Sequence, residues 1–132
     1  MRYLIVMLTL LIALPSQAAS LRETRLESAL KTVAEQSSKG TPRQLNANIV
    51  DEGFTAQGQE LINHLTVDTV YASHMQSDPL VVRSQLQSSV CADQRFRRLL
   101  DMGATLTYHF VLADSNQPVL TQSFVADHCQ AM

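Results

Sequence analysis

The chain has 132 residues, ten Lys and Arg against twelve Asp and Glu, and two cysteines. That length fits one domain with room for one modest core. The weakly acidic balance argues against nucleic acid or an anionic membrane surface as a default partner.

The first residues read as a secretory leader. Arg2 precedes a run from Tyr3 to Leu14 that is apolar except for Thr9, and Pro15 ends it. The run is too short for the roughly 20 residues that span a bilayer as a helix. Small residues follow at Ser16 and Ala18, so cleavage is expected between Ala18 and Ala19. The expected division is therefore a signal peptide over 1–18 and a single domain over 19–132. The exported chain keeps nine basic and twelve acidic side chains. No cysteine follows the cut, which removes the simplest route to a lipid anchor, and no later apolar run approaches spanning length. The expected location is the periplasm or the exterior, with no membrane insertion after processing.

From Leu21 to Ser38, Leu26, Ala29, Leu30, Val33 and Ala34 recur at helical spacing. Ser20 is the expected N-cap, with Glu23 completing a capping box, and Gly40 closes the helix. Thr41-Pro42 starts something extended. Ile49–Ala56 and Glu60–Val67 read as two strands joined by Gln57-Gly58-Gln59, with Gly53 marking a bulge. Leu61, Asn63, Leu65 and Val67 then share one face, and Ile62, His64 and Thr66 the other.

Asp68–Ser77 reads as a short helix carrying Val70, Tyr71 and Met75. Asp78-Pro79 is a helix start, and Val82, Leu86 and Val90 follow at intervals of four up to Cys91. Asp93 opens another helix with Phe96, Leu99 and Leu100, which Gly103 ends. Thr105–Leu112 alternates strictly, with Leu106, Tyr108, Phe110 and Leu112 on one face. Asp114–Pro118 is turn chemistry, and Val119–Val125 returns as a partner strand. The expected fold class is α+β: a four-stranded antiparallel sheet of two hairpins, packed with an N-terminal helix and two to three mid-chain helices.

In an oxidising compartment the isolated pair Cys91 and Cys129 is expected to form a disulfide. Closing that loop stabilises by about 3–4 kcal/mol in the chain-entropy treatment. The bridge would pin the end of a helix to the end of the sheet.

Catalytic patterns are missing. His64, His74, His109 and His128 form no His-x-x-x-His pair and no His-Glu-x-x-His motif, so no metal site is expected. There is no Gly-x-Ser-x-Gly elbow, and Asp51-Glu52 reads as a turn-like doublet. No cofactor is implied. His64 and His109 are read as part-exposed sheet histidines, with a hydrolytic role beside a nearby acid as the alternative. Arg95, Arg97 and Arg98 are the densest positive cluster. The plain reading is a solvated helix face with an Arg98–Asp101 ion pair, and the functional one is contact with an acidic partner. Tyr71, with Val70 and Met75, is either core or the lining of a small pocket.

Several segments carry a family resemblance: Gly40-Thr41-Pro42-Arg43-Gln44, Leu61-Ile62-Asn63-His64-Leu65, Val82-Arg83-Ser84-Gln85-Leu86, Ser89-Val90-Cys91, Gly103-Ala104-Thr105-Leu106-Thr107-Tyr108 and Cys129. Together they resemble a family of small exported proteins of pseudomonads described as quorum-sensing-regulated virulence factors. The resemblance implies a secreted or periplasmic α+β domain with one disulfide. The Val-Cys–helix–Gly–strand–strand–Cys ending is more distantly similar to the pilotin domains of type II secretion systems. Those are typically lipoproteins that bind a short secretin helix, whereas this chain has no lipidation cysteine. The expected function is thus a non-enzymatic exported interaction protein with an unidentified protein partner and a virulence-associated role. Possible contacts are Arg95, Arg97, Arg98, His64 and Tyr71. A pilotin-like or chaperone domain taking a partner helix is the second reading, and a small secreted hydrolase the third.

Overall fold

A computed structural model of the chain describes residues 16–130. Helix α1 spans Ser16–Ser37, and its stripe of Leu26, Leu30 and Ala34 is buried. The helix begins earlier than the spacing of its apolar residues predicts. Ser20 is therefore inside it rather than at its N-cap, and the Ser20 carbonyl accepts from the Thr24 hydroxyl at 2.9 Å. Of the signal peptide expected over 1–18, residues 1–15 lie outside the described residues.

A two-residue strand β1, Arg43–Gln44, follows. The Asn46 Oδ1 accepts from the backbone N–H of Asn48 and Ile49 at 2.8 and 2.9 Å, which turns the chain back into β2, Ile49–Gln57. Strand β3, Glu60–Val67, completes this hairpin. The register between β2 and β3 slips between Asp51 and Gly53, so the bulge expected at Gly53 is present. Gly53 has φ +110, and a Cβ there would sit 3.1 Å from the Thr41 hydroxyl and 3.2 Å from that of Ser38. Both the backbone angle and the close approach require glycine.

Helix α2, Thr69–Ser77, starts where Asp68 Oδ1 accepts from the Tyr71 N–H at 2.7 Å. Helix α3, Pro79–Ala92, has its proline in the first turn. Helix α4, Gln94–Asp101, is capped by Asp93 Oδ1, which accepts from the N–H groups of Arg95 and Phe96. Strands β4, Thr105–Leu112, and β5, Pro118–Phe124, then lead to a short 3-10 turn, Ala126–Cys129.

The sheet has five strands in the order β1-β2-β3-β4-β5, not four, and it is mixed. The two expected hairpins join through a parallel pair, with Glu60 opposite Thr105 and Val67 opposite Leu112. Three helices lie between β3 and β4, and their net path returns the chain to the starting end of β3, so β4 runs alongside it in the same direction. The missed strand β1 is two exposed residues with no apolar alternation to reveal it.

All four helices pack on one face. Leu61, Leu65 and Val67 of β3 and Leu106, Tyr108 and Phe110 of β4 meet Leu26 and Leu30 of α1, Met75 of α2, Val90 of α3 and Phe96, Leu99 and Leu100 of α4 in one cluster. Cys91 and Cys129 form a disulfide and are both buried, tying the end of α3 to the 3-10 turn after β5. Among the described residues no helix is long and apolar enough to cross a membrane.

Candidate functional site

With the helices on one side, alternation sends the remaining strand residues to the other face. Ile62, His64 and Thr66 of β3 and His109 and Val111 of β4 stand there half-buried. His64 and His109 are direct neighbours across the parallel pair, their rings edge-on with centroids 6.2 Å apart. Thr55 Oγ1 lies 2.7 Å from His64 Nε2, and Thr121 Oγ1 lies 3.1 Å from His109 Nδ1. Glu52 accepts from the Thr66 hydroxyl, and Glu60 accepts from the Thr107 hydroxyl at 2.6 Å. Val50, Glu52, His64, Thr66, His109 and Val111 surround a concavity of about 630 Å³.

The electrostatics of this face bear on its chemistry. Burial, and secondarily the neighbouring His109, lowers the pKa of His64 from its ordinary value. Proximity to a second histidine disfavours the imidazolium, whereas a carboxylate partner would favour it. Glu52 and Glu60 are each hydrogen-bonded to a threonine. Among the described residues neither His64 nor His109 hydrogen-bonds a carboxylate, and no three His, Cys, Asp or Glu side chains are grouped to hold a metal. The arrangement is a self-satisfied band of hydroxyls and imidazoles flanked by apolar side chains. It can offer donors and acceptors to a docked surface.

The three arginines of α4 meet different neighbours. Arg95 turns toward Asp93, 3.6 Å away, and lies over the Phe96 ring. Arg97 and Arg98 border a different concavity with Gln94 and Asp101. The expected Arg98–Asp101 pair does not form, and Asp93 takes Arg95 instead. Arg95 and Arg98, three positions apart, are neighbours on the α4 surface, and Arg97 is turned about 100° from Arg98. Tyr71 is half-buried against the core, Met75 is inside it, and Val70 is 71 % exposed, so the three do not line one pocket. Ala18 and Ala19 lie in the first part of α1.

Two polar groupings escape a linear reading. Asp51 is not a turn residue but a buried carboxylate in β2, 5 % exposed. It accepts from the Gly53 N–H and the Asn63 amide, each at 2.9 Å, and from Arg43 at 3.4 Å. Arg83 of α3 lies 4.6 Å over the Phe124 ring and donates to Gln122 and to the Ser123 carbonyl. A buried Asn63 on the core side of an alternating strand was the available signal for the first. The second joins residues about forty positions apart and left none.

These features define a class: a small α+β domain, closed by one disulfide, whose helices cover one face of a mixed sheet and leave a polar face open. The chain belongs to the family described as "Putative quorum-sensing-regulated virulence factor", which matches residues 19–130. It is 47 % identical to a "putative secreted protein" of Pseudomonas aeruginosa whose crystal structure superposes with a TM-score of 0.81, over 83 % of this chain and 97 % of that one. The fold is shared with the type 2 secretion system pilotin EpsS of Vibrio vulnificus, at 20 % identity, TM-score 0.70, and coverage of 84 % and 97 %. It is also shared with the type II secretion system pilotin AspS of Vibrio cholerae, at 19 % identity, TM-score 0.63, and coverage of 85 % and 99 %. No curated protein matches the chain.

Proposed function

We propose that the protein is an exported, non-enzymatic interaction domain that binds a protein partner through the open face of its sheet. The observation that carries this reading is the band of His64, His109 and the surrounding hydroxyls, whose polar groups are paired with one another beside half-buried Ile62, Val50 and Val111. Such a face combines apolar area with ready hydrogen bonding, as interfaces do.

Export is supported by the leader-like sequence at 1–18 and by a family match that begins at residue 19. Its role in virulence follows the family description. The test is capture of partners from periplasm, spent medium and host extracts by the protein and by a His64→Glu/His109→Glu variant. A partner retained by the first and lost by the second supports the reading. A partner retained equally by both places binding elsewhere and overturns it.

The fold shared with EpsS and AspS favours a second reading, a pilotin-like domain that takes a partner helix in a groove beside the sheet. Deletion of the gene should then impair secretin assembly, and normal assembly would remove this reading.

A further inference from the structure

Arg95 borders a third concavity. The turn after α1, strand β1, the β2 bulge and the start of α4 enclose about 270 Å³ there. Three cations border it, Lys39, Arg43 and Arg95, with Ser37, Asp51 and Phe96. They come from three separate segments of a chain whose formal net charge is −2. Two acids answer them. Asp51 is occupied by Arg43, the Gly53 N–H and Asn63. Asp93 is occupied by Arg95 and by capping α4. Lys39 has no hydrogen bond or ion pair from its side chain among the described residues, so the concavity keeps a positive excess.

Both guanidinium side chains remain about half accessible, at 52 % for Arg43 and 58 % for Arg95. Each uses one Nη2 on its aspartate, which leaves further N–H donors of the planar fork. Ser37 adds a hydroxyl that is buried and has no hydrogen-bond partner among the described residues. Buried hydroxyls are ordinarily paired, and an orphan bordering a cationic concavity is a donor suited to an anion.

We propose that this concavity is a binding site for a phosphate-type oxyanion, held by Lys39, Arg43 and Arg95 with the Ser37 hydroxyl. A planar carboxylate is satisfied by one bidentate guanidinium. Donors arriving from several directions match instead the tetrahedral oxygens of a phosphate group. The volume is slightly below the roughly 300 Å³ at which pockets for drug-sized ligands begin, which fits a phosphate group or a small phosphate monoester. The site is distinct from the open sheet face, so it stands or falls separately from the proposed partner binding.

The experiment is an amide-resolved NMR titration of the purified protein with inorganic phosphate and with glycerol phosphate, at constant ionic strength set with chloride. Saturable shifts should centre on Ser37, Lys39, Arg43 and Arg95. Lys39→Gln and Arg95→Gln should each weaken binding about tenfold, the loss of one charge-assisted contact. Neither position contributes to the buried Asp51 network, so both variants should keep the parent's spectrum elsewhere. Co-sedimentation with phosphatidylglycerol vesicles, against phosphatidylcholine vesicles, distinguishes a lipid headgroup from a soluble ligand. Binding in either arm that weakens in both variants supports the site. The absence of saturable binding in both arms overturns it, as does binding unaffected by the substitutions.

Discussion

His64 and His109 face each other across the parallel strands β3 and β4, in register and edge-on at 6.2 Å. Each is hydrogen-bonded to a threonine of the outer neighbouring strand, Thr55 on β2 and Thr121 on β5. Four strands are thereby linked across the open face by side chains alone.

This pair sets a pH dependence. Burial and then His109 lower the folded pKa of His64. Above about pH 6.5 the ring is neutral in folded and unfolded chains alike. As the pH falls through that value the unfolded chain takes up the proton first. Folding stability therefore declines until the folded-state pKa is passed. NMR titration should place His64 below the ordinary value, and His109→Gln should raise it only part of the way, because burial is the larger cause. A His64 resonance titrating at or above the ordinary value would contradict this.

The bulge in β2 predicts a steep glycine requirement. Gly53→Ala places a side chain at φ +110 and within 3.2 Å of two hydroxyls. A cost of about 2–3 kcal/mol is expected, read as a lower urea midpoint with an unchanged slope. Asn63→Ala should cost a similar amount, about 1–3 kcal/mol, by removing a donor from the buried Asp51 carboxylate.

The disulfide holds the 3-10 turn against α3. Under denaturing, non-reducing conditions the protein should show no free thiol. Replacing Cys91 and Cys129 by serine together should lower stability by about 2–5 kcal/mol, seen as a fall in Tm.

Edge strand β5 is partly blocked by helix side chains. Gln76 donates to the Val119 carbonyl and Arg83 to the Ser123 carbonyl. Unpaired edges invite addition of another strand. The double variant Gln76→Ala/Arg83→Ala should therefore self-associate with rising concentration in analytical ultracentrifugation. A variant that stays monomeric at every concentration would show that the two contacts do not guard the edge.

Much of the local structure was legible because it is written in neighbouring residues. The helix start at Asp93, Pro79 at a first turn, Gly53 at a bulge and the alternation in Thr105–Leu112 each act over a few positions. Ser20 failed as an N-cap because the residues before it continue the helix, and a capping motif stops a helix only when the preceding backbone leaves helical angles. The Arg98–Asp101 pair expected from spacing alone is replaced by Arg95–Asp93, because Asp93 at the helix start is also within reach of an arginine.

The sequence by itself determined the helices, four of the five strands, the two faces of β3 and β4, and the cysteine pair available for bridging. These follow from periodicity and backbone chemistry, which act at short range. Only the tertiary structure decided that β3 and β4 run parallel, that His64 meets His109, and that Lys39, Arg43 and Arg95 share one concavity. Each joins residues far apart in the chain. Their meeting depends on how three intervening helices pack on the sheet, which no local pattern records.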